Sequence, residues 1–312
     1  MEQIITVILE SGRAAIDMVL YILLPIMVVM LALMKLLEVK GVLAWVANLL
    51  SPVLRVFGVP GLGVFAMVKL LFVSFAAPVA TLAIMDRNGT ARRQIAATLA
   101  MVLTMSQANV VFPMTAVGLN LPVIMMTSLV GGLFAAAVTY YLLAPSADVH
   151  DEMGQENLAS DGTKDKRTVI QILSDGGQEG AKIVMGMLPM LILALCFVYL
   201  LRATGGIEII SMLLAPVLAL VDLPEAAVLP LVTKFIAGGT AFMGITLDLM
   251  NQGLLSATDL NRMAGFVTNP LDIAGVAVLT AAGPRVGAIA RMAVLGAISG
   301  MVLRGVLHLI IF

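Results

Sequence analysis

The sequence predicts an all-α integral membrane protein of about ten membrane helices, arranged as two inverted five-helix repeats. Hydrophobic residues make up 61% of the 312 residues and charged residues 12%, which is about half the charged share of a typical soluble domain. Residues 18–34 and 183–201 contain no charged side chain. Each of these stretches is close to the roughly 20 residues that an α-helix needs to cross the hydrocarbon layer.

The repeat organisation follows from an internal duplication at an offset of 164 residues (189 − 25 = 164). At this shift three prolines and one glycine of the first half coincide with identical residues of the second half. The matched pairs are Pro25 with Pro189, Pro52 with Pro216, Pro60 with Pro224, and Gly41 with Gly205. A doubled hydrophobic unit is a common plan of membrane transporters, which bind substrate at the interface between the repeats.

The helix boundaries follow from the apolar runs and from the turn residues between them. Residues 1–145 form the predicted first repeat, residues 169–312 the second, and residues 146–168 a polar cytoplasmic linker with few large apolar residues. The predicted helices are roughly 14–37, 42–57, 61–85, 90–112, 121–144, 179–202, 206–221, 225–250, 256–283 and 286–311. The helices at 42–57 and 206–221 are short for a bilayer crossing, so whether they span stays open.

The lysine and arginine distribution predicts the orientation. Five spans in each repeat invert the second repeat relative to the first, if all five cross. With the N-terminus outside, eleven of these basic residues lie on the cytoplasmic side and five outside, as the positive-inside rule expects. The five are Arg13, Arg55, Arg202, Arg262 and Arg304. We therefore predict a multi-pass protein of the cell inner (plasma) membrane.

Each half carries one lysine deep in an apolar segment. Lys69 and Lys234 follow their matched prolines by nine and ten residues, which places them about 12 Å into their helices. Ionisable residues at such depth usually line a cavity or pair with one another. We predict that both lysines line a substrate cavity, where they either pair with Asp248 and Asp272 or contact the solute. A structural lysine whose head reaches the membrane interface is the alternative.

A second polar constellation lies in the fourth and ninth predicted helices. At an offset of 163 (269 − 106 = 163), Ser106 aligns with Asn269 and Asn109 with Asp272. Pro270 lacks a backbone donor, and a membrane tolerates the freed carbonyl only where protein or cavity water satisfies it. We predict that both helices are interrupted here. The predicted substrate-binding residues are Ser106, Gln107, Asn109, Thr268, Asn269 and Asp272; interhelical hydrogen bonding without a ligand is the alternative.

Asp272 is the ionisable member of this constellation. Its carboxylate oxygens are suited to Na⁺, and it can also carry a proton. We predict that Asn109 and Asp272 lie near each other across the repeat axis. We also expect Asp272→Asn to remove ion or pH dependence while the protein still folds.

Other classes of function are not supported by the sequence. A net charge of −1 argues against a nucleic-acid partner. Cys196 is the single cysteine and neither histidine has a mate at ligand spacing, so we expect neither a metal centre nor another cofactor. We also find no pairing of a nucleophile with a base, and therefore do not expect an enzyme.

A resemblance to a known family rests on a few short stretches, which have a weaker copy in the first half. They are Leu214-Ala215-Pro216, Val221-Asp222-Leu223-Pro224, Ser256 to Met263, and Thr268-Asn269-Pro270. With a proline-marked short segment, a small-residue helix, a charged turn and a polar-broken helix in each repeat, the chain resembles the nucleoside-recognition or Gate domain proteins. This group includes the gate regions of concentrative nucleoside transporters and bacterial ferrous-iron transporters, and spore-maturation-like membrane proteins. The chain lacks the phosphate loop that marks a GTPase and the additional scaffold helices of a full nucleoside transporter.

The resemblance implies a secondary transporter of a small polar, nucleoside-like solute that works by alternating access between two repeats. Coupling to Na⁺ or protons and assembly into a homo-oligomer stay open. The alternative is a non-transporting membrane scaffold or a partner subunit of an envelope process, as in spore-maturation-like proteins. A polar cavity that reaches the membrane midplane favours transport, whereas fully satisfied polar pairs without a cavity favour the scaffold.

Overall fold

The computed structural model describes residues 2–144, 167–204, 218–219 and 221–312. It is 82% helical, and no β-strand occurs in these ranges, so the predicted all-α class is confirmed. Most of the predicted linker and of the helix at 206–221 lies outside the described residues.

The chain begins with one long helical rod. Helices α1 (Glu2–Met18) and α2 (Leu24–Val39) are joined by a π-helical turn at Val19–Leu23. Pro25 lies in the first turn of α2; its ring has no N–H to donate, and the wider π turn accommodates that loss. The rod begins earlier than the predicted residue 14, because a buried stripe at helical spacing already includes Ser11.

The next three helices are α3 (Val42–Arg55), α4 (Gly61–Phe72) and α5 (Pro78–Arg87). The predicted single helix at 61–85 is wrong, because residues 73–77 interrupt it. The ring of Pro78 would clash with the carbonyl group of Ser74 in a continuous helix. Pro78 instead occupies the first turn of α5, where its missing N–H costs nothing.

The first half ends with α6 (Arg92–Thr104), α7 (Ala108–Thr115) and α8 (Leu121–Val138), which a π turn at Thr139–Leu143 extends. The second half begins with α9 (Val169–Ala203), a helix of 35 residues. The single predicted helix at 90–112 is thus two helices, and the one at 121–144 is present.

The remaining helices are α10 (Val228–Asn251), α11 (Ala257–Val267), α12 (Ile273–Thr280), α13 (Pro284–Ala288) and α14 (Ala290–Ile311). A single 3₁₀ turn at Glu225–Ala227 precedes α10, and Gly238 kinks α10 with φ of 86°. Ser256 and Asp259 form a reciprocal capping box that fixes the start of α11.

Several helix contacts are close enough to require glycine. A Cβ atom at Gly176 or Gly180 of α9 would lie 2.6 or 2.7 Å from the carbonyl oxygens of Leu31 and Met27 in α2. A Cβ atom at Gly300 of α14 would lie 2.5 Å from the carbonyl oxygen of Gly131 in α8. Small residues let membrane helices pack backbone to backbone in this way. The second contact belongs to the packing of α14 against α6 and α8.

The same tight turn occurs before the matched prolines of the two halves. Gly58 has φ of 77° and Asp222 has φ of 52°, so both adopt the left-handed conformation two residues before their proline. The N–H of the following residue then donates to a carbonyl five residues back, Val59 to Leu54 and Leu223 to Leu218. This likeness agrees with a duplication, while the inverted arrangement of the two repeats stays a prediction.

Six helical stretches of the described residues are long and apolar enough to cross a membrane. They are Ile5–Val39, Arg92–Thr115, Leu121–Leu143, Val169–Phe197, Glu225–Asn251 and Ala290–Ile311. Helices α3 and α4 are apolar but shorter. The described residues therefore support a multi-pass membrane protein with six candidate spans, and the predicted count of about ten membrane helices is not confirmed.

Candidate functional site

Two helices are interrupted at the predicted positions. Residues 105–107 separate α6 from α7, and Met105 and Gln107 have extended backbone angles. Residues 268–272 separate α11 from α12, and Asp272 is likewise extended as the N-cap of α12. The predicted interruption of both helices is confirmed. Each break exposes backbone groups that the helical pattern leaves unpaired.

The two breaks contact each other, and we call residues 105–107 together with 268–272 the crossing. The N–H of Gln107 donates to the carbonyl oxygen of Thr268 at 2.9 Å. The hydroxyls of Ser106 and Thr268 lie 2.9 Å apart, and Nε2 of Gln107 donates to the carbonyl oxygen of Asn269 at 3.1 Å. Four predicted site residues thus meet at the crossing, two from the first half (Ser106 and Gln107) and two from the second (Thr268 and Asn269).

The two asparagines of the predicted site have different partners. Asn269 satisfies its own break, since Nδ2 donates to the carbonyl oxygen of Phe266 at 2.9 Å and Oδ1 accepts from the Leu271 N–H at 3.1 Å. Asn109 accepts a hydrogen bond of 3.3 Å from the N–H of Phe75. Asn109 therefore ties α7 to the break between α4 and α5, and its predicted proximity to Asp272 stays a prediction.

A buried ion pair lies at one end of the crossing. Nζ of Lys234 lies 2.8 Å from Oδ2 of Asp272, and the two side chains are 0% and 4% exposed. Oδ1 of Asp272 accepts from the Gly275 N–H at 2.7 Å and so caps α12. Gly238 is one helical turn from Lys234, and a Cβ atom there would lie 3.6 Å from Asp272 Oδ1. The kink in α10 therefore lies against the carboxylate.

The two predicted acidic partners of the lysines, Asp248 and Asp272, have different surroundings. Lys234 pairs with Asp272, as one of the alternatives expected. Asp248 instead accepts a hydrogen bond of 2.9 Å from Nε2 of Gln252 at the end of α10. It takes no part in the ion pair.

Lys69 lies in a different environment, a cleft of about 210 Å³ between α2, α4 and α9. Nζ of Lys69 is 3.8 Å from Oε1 of Glu38 and 4.6 Å from the centre of the Phe65 ring. Lys35 and Glu179 also line this cleft. The sequence did not point to Glu38, because it lies near the end of α2 beside two lysines and reads as an ordinary helix terminus.

Arg304 is the functional candidate that the sequence reasoning missed. It is 0% exposed, although we counted it among the outside arginines. Its guanidinium donates to the carbonyl oxygen of Thr104, to Ser106 Oγ at 2.6 Å and to Thr268 Oγ1 at 2.9 Å. Arg304 therefore joins the two breaks and says nothing about orientation.

The neighbourhood of Arg304 contained a signal that could have revealed it. The glycines of α14, which allow close approach to other backbones, recur on its side of the helix. His308 lies one turn further and is also buried, between the Thr127 hydroxyl at 2.8 Å and the Asn261 carbonyl oxygen at 2.7 Å. A basic pair one turn apart in an apolar, glycine-rich helix indicates an inward-facing polar stripe.

Broken membrane helices that meet at a buried polar centre define a class, the multi-pass membrane proteins with a transporter-type fold. Comparison with known proteins tests the resemblance. Residues 20–127 match the family model described as Gate, nucleoside recognition, which confirms the resemblance over that range. The match lies in the first half, where the sequence resemblance was the weaker one.

A curated relative points to the same group. The chain is 33% identical over 89 residues to Spore maturation protein B of Bacillus subtilis (strain 168). The match covers 28% of this chain and 49% of that protein, so the chain spans about half the length of the relative.

Solved structures match most of the chain. One is CNTnw, a concentrative nucleoside transporter, in an inward-facing substrate-bound state. The alignment covers 93% of this chain and 73% of the CNTnw chain, with a TM-score of 0.71 and 18% identity. An outward-facing variant of CNTnw covers 92% and 75%, with a TM-score of 0.71 and 17% identity. At this identity the likeness establishes the fold.

Proposed function

We propose that this protein is a secondary transporter of a small polar, nucleoside-like solute, and that it works by alternating access between two inverted repeats in the cell inner membrane. The crossing carries the proposal. It brings together two helix breaks from the two halves, and transporters hold their substrates at such breaks. The fold is also one for which inward- and outward-facing structures of CNTnw exist.

The crossing offers the donors and acceptors that a nucleoside needs. Ser106, Gln107 and Thr268 present hydroxyl and amide groups, and Asn109 and Asn269 flank them. A ribose hydroxyl or a base amide can replace the bond from Gln107 to the Asn269 carbonyl oxygen. Such an exchange is nearly balanced, since each neutral hydrogen bond contributes a net of only about 1 kcal/mol.

Asp272 is the proposed site of ion coupling, and Lys234 decides how it works. The ammonium of Lys234 occupies one carboxylate oxygen at 2.8 Å. A Na⁺ ion or a proton at Asp272 must therefore displace Lys234 or take the remaining lone pairs. The ion pair also changes the expectation for Asp272→Asn, because that substitution leaves the Lys234 ammonium buried without a counter-ion and so weakens the fold as well.

Uptake into proteoliposomes tests the proposal. We expect labelled uridine to accumulate under an inward Na⁺ or proton gradient. Gln107→Ala and Asn269→Ala should lower uptake at least about tenfold, because they remove the polar groups of the crossing. Gln178→Ala, at an exposed position of α9, is the matched control and should leave uptake unchanged. Absence of uptake for uridine and other nucleosides under every gradient would reject nucleoside-like transport.

A membrane scaffold or partner subunit of an envelope process is the second candidate. The relative named for spore maturation supports it. A second support is that the polar groups of the crossing are bonded to one another in this conformation. This candidate predicts that the purified protein neither binds nor transports solutes, whereas deletion of its gene alters the cell envelope and substitutions at the crossing reproduce that defect.

A further inference from the structure

We propose that the cleft beside Lys69 is a second binding site, which takes a small aliphatic zwitterion of the α-amino-acid class. The inference goes beyond the proposed transport, because the cleft lies between α2, α4 and α9, whereas the crossing is built from the breaks that precede α7 and α12. Three features of the cleft carry it: an under-coordinated ammonium, an opposite charge on the facing wall and an apolar lining.

Lys69 provides the ammonium. Its contact with Glu38, at 3.8 Å, is longer than a hydrogen bond of about 2.7–3.2 Å. Lys35 lies closer to the same carboxylate, at 3.2 Å, and already balances its charge. An ammonium has three donors, and among the described residues none of those of Lys69 makes a hydrogen bond. A ligand carboxylate is the group that this environment lacks.

Glu179 provides the opposite charge. It lies on α9, across the cleft from α4, and forms no ion pair within the part of the chain that the structure describes. Lys69 and Glu179 are therefore one positive and one negative charge on facing walls, and Lys69 shares its nearest counter-ion, Glu38, with Lys35. A zwitterion satisfies both at once, whereas an anion or a cation satisfies only one.

The rest of the lining sets the size and character of the ligand. Leu31, Met34, Val73 and Ala77 complete the walls, so an aliphatic side chain would contact apolar atoms. The volume of about 210 Å³ is below the range of roughly 300–1,000 Å³ that is usual for drug-sized ligands. These dimensions favour a single amino acid such as leucine.

Calorimetric titration of the full chain in detergent tests the site with three ligands. The ligands are L-leucine, L-leucinamide, which lacks the carboxylate, and 4-methylpentanoate, which lacks the ammonium. We expect leucine to bind at least about tenfold more tightly than either analogue. Equal binding of all three ligands, or no binding of leucine at millimolar concentration, would overturn the proposal.

Substitutions test whether Lys69 binds the carboxylate of the ligand and Glu179 its ammonium. Lys69→Met should weaken the binding of leucine at least about tenfold, and leucine should then bind no more tightly than leucinamide. Glu179→Gln should make leucine bind no more tightly than 4-methylpentanoate. Arg55→Met, at an exposed position of α3, is the control and should change neither ratio. If Arg55→Met weakened leucine as much as Lys69→Met, the effect would be one of bulk charge and the site would be rejected.

A zwitterionic lipid headgroup presents similar chemistry, and nanodiscs separate the two sources. We expect leucine to bind with the same affinity in nanodiscs with and without phosphatidylethanolamine. Loss of leucine binding only when this lipid is present would assign the cleft to the headgroup and overturn the amino-acid proposal.

Discussion

Lys69 and Lys234 follow matched prolines in the two halves of the sequence, yet their surroundings differ. Lys234 is fully buried and 2.8 Å from Asp272, whereas Lys69 is 19% exposed and 3.8 Å from Glu38. The cause lies in the neighbouring elements. Gly238 kinks α10 beside the N-cap carboxylate of α12, while α4 ends at Phe72 and faces a cleft. A lysine in an apolar helix thus obtains its partner from what packs against it.

The largest expected difference concerns loss of each charge. Lys234→Met leaves the Asp272 carboxylate buried and unpaired, which should lower the free energy of unfolding by about 3–5 kcal/mol. Chemical denaturation in mild detergent, followed by circular dichroism, measures this value. A loss below about 1 kcal/mol would show that Asp272 finds water or another partner.

The double variant Lys234→Met with Asp272→Asn sharpens that result. Without either charge the penalty of an unpaired ion disappears, so most of the lost stability should return. The same denaturation measurement applies, with Asp272→Asn alone as the comparison. Additive losses in the double variant would mean that the pair does not stabilise the fold as a unit.

Arg304 allows an intermediate test at the crossing. Arg304→Met removes three donated hydrogen bonds, and we expect a loss of about 2–3 kcal/mol. Hydrogen exchange should rise in residues 105–107 and 268–272, because the two breaks lose their common donor. Arg262→Met is the control; Arg262 pairs with the exposed carboxylate of Asp222, so exchange at the crossing should not change.

The smallest effect is expected at Lys69. Its contact with Glu38 is long and partly exposed, and such pairs contribute about 0–1 kcal/mol. Lys69→Met should therefore lower the free energy of unfolding by no more than about 1 kcal/mol, measured by the same chemical denaturation. A loss similar to that of Lys234→Met would remove the distinction between the two lysines.

Much of the fold followed from the sequence, because apolar runs and prolines carry its main signals. The predicted helix at 121–144 and the breaks at 105–107 and 268–272 are present. The break at 73–77 was missed, although Pro78 marks its end, because a proline inside an apolar run can also be tolerated as a kink.

The candidate site was predictable only in part. Polar residues at matched positions revealed both helix breaks of the crossing, since such residues are costly in a membrane. Arg304 and Glu38 were not foreseen, because a basic residue near the chain end and an acid near a helix end look like ordinary interface residues. Their roles depend on which helices pack together, and that information is absent from local spacing.

The glycine contact between α2 and α9 has a mechanical consequence. Because the backbones touch at Gly176 and Gly180, the two helices have no side-chain layer over which to slide, and they should move as one rigid strut. The boundary between this strut and α4 is instead a cleft spanned by the long contact of Lys69 with Glu38. Movement of α4 relative to α2 and α9 would then be taken up at this cleft, where only that long, partly exposed contact has to break.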